Sequence, residues 1–219
     1  MNCALQHNPS NNWQAIEFAV VFWYHLPMNT PTKPGIYTGV GSQKTPLHVL
    51  GAMADLGEQL ARQGWTLRSG GARGADSAFE AGHRRVTADR LEIYLPWKGF
   101  NQNPSSLFGV TEAALQLAAR NHPAWHACTE NVRKLHGRNA YQVLGQDLDT
   151  PSQFVVCWTP DGAASRKERS RDTGGTGTAI SVADGAGVPV FNLARRGERD
   201  RLMDWLAGLP AKGGQSSLF

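Results

Sequence analysis

Cysteine is scarce in this chain: three occur among its 219 residues, Cys3, Cys128 and Cys157. They lie far apart in the sequence and form no CxxC pair, which argues against both a disulfide framework and a zinc knuckle. Proteins that carry no disulfides are typical of reducing compartments, so we expect a cytoplasmic location.

Long apolar segments are also missing. The stretch AIEFAVVFWYHLP at residues 15–27 is too short to span a bilayer, and it lacks the flanking features of a signal peptide. We therefore expect no membrane partner. The organised pattern begins only after Met28, so residues 1–33 are predicted to be an N-terminal extension. It is either the product of a misassigned start codon or an edge strand or partner-binding arm.

Charge is sparse too: charged residues make up 18% of the chain and hydrophobic residues 41%, as in a globular protein. The formal net charge of +4 is a mild basic bias, which favours anionic partners without identifying nucleic acid. The length suits one sizeable α/β domain with a core of its own and is too short for two generous domains.

Short strand-like segments alternate with helical segments from Gly35 onward. The strand candidates are apolar, are bounded by Gly, Pro or Asp, and lie at residues 35–40, 64–70, 91–97, 153–158 and 188–193. The helix candidates run from a Thr45 cap to Gly64, from Gly74 onward, and over about 107–120, 130–146, 177–186 and 198–207. This alternation predicts an α/β fold, a parallel sheet with helices on both faces, over residues 34–209.

Three connecting segments are predicted to lack regular structure. Residues 98–106 and 162–172 are predicted to be long, mobile loops, and the Gly/Ser-rich residues 210–219 to be a flexible C-terminal tail.

Glycine-rich stretches follow the predicted strands, at the edge where open α/β sheets bind ligands. YTGVGS (37–42) follows the first strand, RSGGARGADSAFEAG (68–82) follows the second, and GGTGTAI (174–180) comes after the fourth. Glycine lets backbone N–H groups approach a phosphate, and a helix beginning there adds its N-terminal dipole. The set predicts a pocket for a phosphate-bearing ligand, whereas any one loop alone is equally explained as a tight turn. None matches the Walker or GxGxxG motif.

Three of these stretches resemble a known superfamily. GVGS, SGGARGADSAFEAG and GGTGTAISVADGAGVPVFNL are similar to the SLOG superfamily, which includes DNA-processing protein A and the lonely-guy phosphoribohydrolases. The resemblance covers roughly residues 35–193, and SGGARGAD is especially close to DNA-processing protein A. It implies a Rossmann-like fold, a pocket for phosphate-bearing ligands and at least a dimer.

The chain departs from the lonely-guy enzymes at their catalytic glutamate. Their glycine motif is matched by Gly174, Gly175, Gly177 and Thr178, but Ser181 stands where the glutamate is expected. Serine can neither stabilise an oxocarbenium-like sugar nor act as a general base, so hydrolysis by that arrangement is doubtful. Glu80 and Glu112 are the substitute carboxylates, although a solvated helix position explains Glu80 more simply.

The resemblance also implies a role for Arg138. Lonely-guy enzymes carry an active-site arginine at a comparable place before the fourth strand, and Arg138, with Asn139 beside it, is the candidate here for binding or catalysis.

Trp97 and Trp158 are candidates for stacking on a base. The full set of predicted ligand-binding residues is Gly39, Gly41, Ser42, Ser69, Gly70, Gly71, Arg73, Gly74, Asp76, Trp97, Arg138, Asn139, Trp158, Gly174, Gly175, Thr176, Gly177 and Thr178.

Neither a metal nor a cofactor is predicted. The spacing of His122, His126, Cys128 and His136 fits no common metal site. The basic residues Arg166, Lys167, Arg169 and Arg171 precede GGTGT, and either a lid over phosphates or an ordinary solvated loop explains them.

The final residues, QSSLF (215–219), resemble the peptide by which bacterial replication proteins dock on the sliding clamp. Leu218 and Phe219 would be its apolar anchors, and Gln215 would add polar specificity. The resemblance implies the clamp as a partner.

Three functions stay open. The first is a protein that senses or sequesters a nucleotide or nucleotide-derived ligand. The second is a single-stranded-DNA-binding recombination mediator like DNA-processing protein A, which the tail and the basic charge favour. The modest charge and few stacking residues count against it. The third is a nucleotide N-glycosidic hydrolase, which the missing glutamate weakens. Whether the protein is an enzyme is left open, and we predict the first function.

Overall fold

The computed structural model describes residues 34–208. The N-terminal extension predicted at residues 1–33 and the tail predicted at residues 210–219, including the clamp-like peptide, lie outside the described residues. Strands and helices alternate in the order β1 (Ile36–Gly39), α1 (Leu47–Arg62), β2 (Thr66–Ser69), α2 (Ala75–Arg84), β3 (Leu91–Ile93), α3 (Glu112–Asn121), α4 (Glu130–Leu144), β4 (Phe154–Cys157), α5 (Thr176–Gly185), β5 (Val190–Asn192) and α6 (Glu198–Ala207). None of the helices within the described range is long and apolar enough to cross a membrane.

The five strands form one parallel sheet in the order β3-β2-β1-β4-β5. Tyr37 of the central strand β1 lies opposite Leu67 of β2 and Phe154 of β4. The chain winds outward in one direction from β1 to β3 and in the other through β4 and β5, as in Rossmann-like folds. The direction reverses between β1 and β4, which makes their carboxyl ends the expected place for a ligand.

Helices cover both faces of this sheet. Successive residues of a strand point to opposite faces, so neighbouring residues of β4 pack against different helices. Phe154 of β4 belongs to the buried cluster that contains Met53 of α1 and Phe79 of α2. The next residue, Val155, belongs to the cluster on the other face, with Ile180 of α5. The predicted α/β class and the two-sided helix arrangement are thus confirmed.

The observed elements are shorter than predicted at several ends. The strand predicted over residues 91–97 ends at Ile93, and beyond it Leu95 forms only an isolated bridge with Phe108. The helix predicted from residue 107 begins at Glu112, where Thr111 Oγ1 accepts a hydrogen bond from Ala114 N–H (3.4 Å) and so caps the helix. The predicted loops at 98–106 and 162–172 each contain a single 3-10 turn.

The predicted cap of α1 was wrong. Thr45 does not cap the helix, because its Oγ1 donates to the carbonyl of Ser42 (2.7 Å) and so stabilises the preceding turn. Pro46 occupies the N-cap position, without a side-chain hydrogen bond from any described residue. The end of the helix is as predicted: it stops at Arg62, and Gly64 follows with a φ of 85°.

Below pH 6.5, the stability of the folded state should depend on His83, which is 0% exposed beside Tyr37. Burial, with the charges of Arg90 and Arg84, lowers the pKa of His83 from 6.5 to about 4. The folded state keeps this ring neutral while the unfolded chain takes up a proton, so its contribution is complete above pH 6.5 and is lost as the pH falls towards 4.

For this residue we expect the free energy of unfolding to fall by up to about 1.4 kcal/mol per pH unit in that window. His83→Phe should remove that part of the slope. Urea unfolding at a series of pH values measures both chains, and identical slopes would contradict the assignment.

Candidate functional site

The loops that follow β1 and β4 meet at the point where the strand order reverses. Pairing continues past the strand ends: Val40 N–H donates to Val156 O, and Ser42 N–H donates to Trp158 O, both at 3.1 Å. There is no room for a side chain on Gly41, since a Cβ there would lie 2.7 Å from Ala75 Cβ and 3.0 Å from Trp158 O. The GVGS loop is therefore held tightly between β4 and the first turn of α2.

Asp76, in that first turn of α2, connects the loops with a helix on the opposite face of the sheet. Its carboxylate is 2% exposed; Oδ1 accepts Gly41 N–H (3.2 Å) and Oδ2 accepts Arg138 Nη1 (3.2 Å). Burial raises the pKa of Asp76, and the guanidinium of Arg138 opposes this. Asp76 thus holds the predicted site together, and its direct contact with a ligand stays a prediction.

Arg138 is seated directly on the second glycine loop. A Cβ on Gly70 would lie 1.1 Å from Arg138 Nη1, so only glycine leaves space for the guanidinium. With the side-chain amide of Gln142 turned to the orientation that satisfies both of its polar atoms, its oxygen accepts Gly70 N–H (2.8 Å) and Arg138 Nη1 (3.0 Å), and its nitrogen donates to Asn139 Oδ1 (2.7 Å). Arg138 is 7% exposed, yet its Nε has no hydrogen-bond partner among the described residues.

Two further glycines of this loop have backbone angles that favour glycine. Gly71 and Gly74 have φ values of 61° and 85°. A Cβ on Gly74 would also lie 2.8 Å from the carbonyl oxygen of Ser42, so this residue joins the second loop to the first. Arg73, between them, is exposed.

The third glycine loop leads into α5 and is open to solvent. Gly174 has a φ of 58°, and nothing described lies within 4 Å of the place that a Cβ on Gly175 would take. No described side chain caps the helix, but Gly177 N–H and Thr178 N–H donate to the carbonyls of Gly174 (3.1 Å) and Gly175 (3.4 Å) within its first turn. Thr176 and Thr178, in its first turn, are buried.

Helix α4 supports this third loop as well as the second. Asn139 Nδ2 donates to the carbonyl of Gly175 (3.0 Å), and His136 Nδ1 lies 2.8 Å from Thr178 Oγ1. Burial, together with His122 and Arg138, lowers the pKa of His136 to about 4, so its ring is neutral near pH 7. One helix face thus contacts both the second and the third glycine loop.

The segment before GGTGT is ordered by Asp161, which the sequence interpretation did not single out. Its Oδ2 accepts hydrogen bonds from Ser170 Oγ (2.7 Å), Ser170 N–H (3.2 Å) and Thr173 Oγ1. Partial burial opposes its ionisation, but these hydroxyls hold the pKa of Asp161 well below its usual range. The signal in the sequence was an acidic residue in a PDG turn followed by nearby Ser and Thr.

The basic residues of this segment do not behave as one group. Arg169 Nη1 donates to the carbonyls of Asn121 (2.8 Å) and Gly177 (3.2 Å), and the guanidinium of Arg166 donates to Asn121 Oδ1. These two arginines tie the segment to the end of α3, so neither a free lid nor a solvated loop describes them. Lys167 and Arg171 are exposed.

Other predicted site residues have structural roles that explain them without a ligand. Gly39 is required by packing, because a Cβ there would lie 2.6 Å from the ring of Phe79. Ser69 is fully buried and donates to the carbonyl of Gly39 (2.7 Å). Ser42 Oγ accepts Lys44 N–H at 3.0 Å.

The two predicted stacking residues differ in exposure. Trp97 is 37% exposed and meets Phe100 edge-on, with ring centroids 5.1 Å apart. Trp158 is half-buried against the core.

Glu80 is not the solvated residue that the sequence favoured. It is 8% exposed, its Oε1 accepts Arg84 Nη2 (2.8 Å), and both its oxygens lie within 3.1 Å of Asn103 Nδ2. It lines a surface cavity of about 390 Å³ together with Gly71 and Arg73. Its partners are hydrogen-bond donors, so the structure gives it a buried, ion-paired position.

No family model matches the chain, and no curated protein matches it. Among solved structures, it is similar to the Moco carrier protein of Chlamydomonas rheinhardtii, with 20% identity, a TM-score of 0.44, and coverage of 81% of this chain and 86% of that one. It is also similar to DNA processing protein A from Helicobacter pylori, with 16% identity, a TM-score of 0.40, and coverage of 80% and 73%.

Proposed function

We propose that this protein binds a nucleotide or nucleotide-derived ligand at the carboxyl ends of β1, β2 and β4, as a member of the SLOG superfamily. The observation that carries the proposal is that α4 contacts two of the glycine loops. Arg138 sits on Gly70 of the second glycine loop, and the next residue, Asn139, holds Gly175 of the third. Two loops that are far apart in the sequence therefore border one site.

The chemistry of this site suits a phosphate. Gly177 N–H and Thr178 N–H close the first turn of α5, so the N–H groups of Gly175 and Thr176 are the ones that this uncapped helix start would offer to a phosphate, as helix N-termini do. Arg138 retains a buried Nε–H without a partner among residues 34–208. A guanidinium held in place by Asp76 can offer this remaining donor to an anion without a further ordering cost.

The surroundings of Ser181 and of two nearby carboxylates favour binding over hydrolysis. Ser181, at the position of the lonely-guy glutamate, is 0% exposed within α5, and its Oγ has no partner in the described part of the chain. Two carboxylates beside the second glycine loop, Asp76 and Glu80, are each paired with an arginine. Neither is placed as a free general base, which supports sensing or sequestration as the function.

Binding of single-stranded DNA is the second candidate, and the engagement of three arginines within the fold counts against it. Arg68 is 3% exposed and pairs with Glu92 (2.6 Å), while Arg138 and Arg169 are also engaged within the fold. DNA binding needs an extended track of basic side chains that are free to meet successive phosphates. The clamp-like tail is the feature that keeps this candidate open, and it lies outside the described residues.

Mass spectrometry of small molecules tests these functions against each other. The purified full chain is denatured before and after incubation with a panel of ribonucleoside 5′-mono-, di- and triphosphates. We expect an intact nucleotide to be released unchanged, with an affinity that depends weakly on salt. Free base with ribose phosphate would instead establish a hydrolase. No bound nucleotide, together with oligo(dT) binding that weakens steeply with salt, would establish DNA binding.

A further inference from the structure

Three side chains that the sequence spacing did not connect converge beside α4. His122 directly follows α3, Cys128 follows the 3-10 turn Trp125–Ala127, and His136 lies on the buried face of α4. One potential ligand atom of each lies within 4.8 Å of those of the other two. Cys128 Sγ is 3.8 Å from His122 Nδ1, and the two imidazole centroids are 4.3 Å apart.

We propose that His122, Cys128 and His136 bind one thiophilic transition-metal ion, Zn²⁺ or Cu⁺, through two imidazole nitrogens and one thiolate. These donors are the ones that both ions prefer. Three protein ligands leave a fourth position of a tetrahedral ion open to a small exogenous ligand. His122 and Cys128 are half-buried, so the site is accessible from solvent.

The distance between Cys128 Sγ and His122 Nδ1, 3.8 Å, is close to that of a metal site. With Zn–N of about 2.0 Å and Zn–S of about 2.3 Å, tetrahedral geometry places nitrogen and sulfur roughly 3.5 Å apart. Small side-chain rotations would therefore bring the three donors into range. Binding would replace two local contacts, the bond from Ala124 N–H to His122 Nδ1 (3.2 Å) and the weak bond from Cys128 Sγ to Ala124 O (3.6 Å).

His136 is already oriented as metal-bound histidines are. Its Nδ1 is hydrogen-bonded to Thr178 Oγ1 (2.8 Å), which leaves Nε2 as the ligand nitrogen. A metal-binding histidine usually donates its other ring N–H to a neighbouring protein group, and that hydrogen bond fixes the orientation of the ring. Thr178 lies in the first turn of α5, so the proposed metal site adjoins the third glycine loop, although it does not depend on nucleotide binding.

The test uses the full chain carrying Cys3→Ser, so that Cys128 and the fully buried Cys157 are the thiols that remain. Zn²⁺ is titrated in competition with a chromophoric chelator, and Cu⁺ is titrated separately under anaerobic, reducing conditions. We expect one ion per chain, bound at least about tenfold more weakly after Cys128→Ser. Thr178→Val should also weaken binding, because it removes the bond that orients His136.

His126→Ala is the matched control, since His126 is exposed and only two positions from Cys128. It should bind the metal as the Cys3→Ser chain does. Co²⁺ should give a thiolate-to-cobalt charge-transfer band in the near ultraviolet that Cys128→Ser lacks, and circular dichroism checks that each variant is folded. The proposal is overturned if neither Zn²⁺ nor Cu⁺ binds more tightly to the Cys3→Ser chain than to Cys128→Ser. It is equally overturned if His126→Ala weakens binding as much as Cys128→Ser does.

Discussion

Replacing Asp76 with alanine is expected to lower the free energy of unfolding by about 3–5 kcal/mol, because it leaves a buried guanidinium without its counter-charge. Arg138 is 7% exposed, and Asp76 is its ion-pair partner in the described residues. The same change removes the acceptor of Gly41 N–H, so the first loop loses its attachment to α2. Urea unfolding of the variant and the wild type measures the difference.

Two comparisons make this result specific. Glu130→Ala removes a solvent-exposed ion pair with Lys134 on the same helix as Arg138 and should have a far smaller effect. Asp76→Ala combined with Arg138→Leu removes both charges and should recover part of the stability that the single change loses. If Asp76→Ala were as stable as the wild type, Asp76 would not be the residue that holds the loops in place.

Gly175→Asp is expected to abolish nucleotide binding while leaving the protein folded. Gly175 has helical backbone angles and open space around its Cα, and the helix dipole favours an acidic side chain at a helix N-terminus, so the stability should not fall. A carboxylate about 4 Å from a bound phosphate costs roughly 4 kcal/mol near a protein surface, which corresponds to an affinity loss on the order of 1000-fold. Isothermal titration with AMP, ADP, GMP and GDP measures the loss.

The matched controls separate charge at the site from the substitution itself. Gly175→Ala adds a side chain at the same place without charge and should bind nucleotide much more strongly than Gly175→Asp. Gly51→Asp adds the same charge at an exposed position of α1 that also has open space, and it should bind as the wild type does. A folded Gly175→Asp protein with undiminished affinity would show that the phosphate does not bind at the start of α5.

Local patterns were sufficient to predict the strands and helices. β4 could be identified because its four residues are apolar and include an aromatic and two β-branched side chains, and α5 because GGTGT leads into an alanine-containing helix. The ends of the strands and helices were predicted less accurately. The hydroxyl of Thr45 bonds to the carbonyl of Ser42 instead of capping α1, and the hydrogen-bond ladder of β3 stops at Ile93. Such competition involves atoms whose positions only the folded chain defines.

The sequence predicted the glycine loops of the site but not the side-chain contacts that join them to the helices. The glycines were visible as a motif, whereas the seat of Arg138 on Gly70 depends on how α4 packs across the sheet. For the same reason, Glu80 was expected in solvent although Asn103 and Arg84 enclose it. The meeting of His122 with His136 requires the end of α3 to pack against the middle of α4, which no sequence spacing encodes.

The most direct measurement is the change in amide chemical shifts when ¹⁵N-labelled protein is titrated with the same four nucleotides. The account predicts that at least one of them shifts the backbone amides of Gly174 to Thr178 and the Nε–H of Arg138 most strongly, since these donors border the proposed site. A nucleotide that binds while these signals stay in place, or a panel of nucleotides that leaves every signal unchanged, would contradict it.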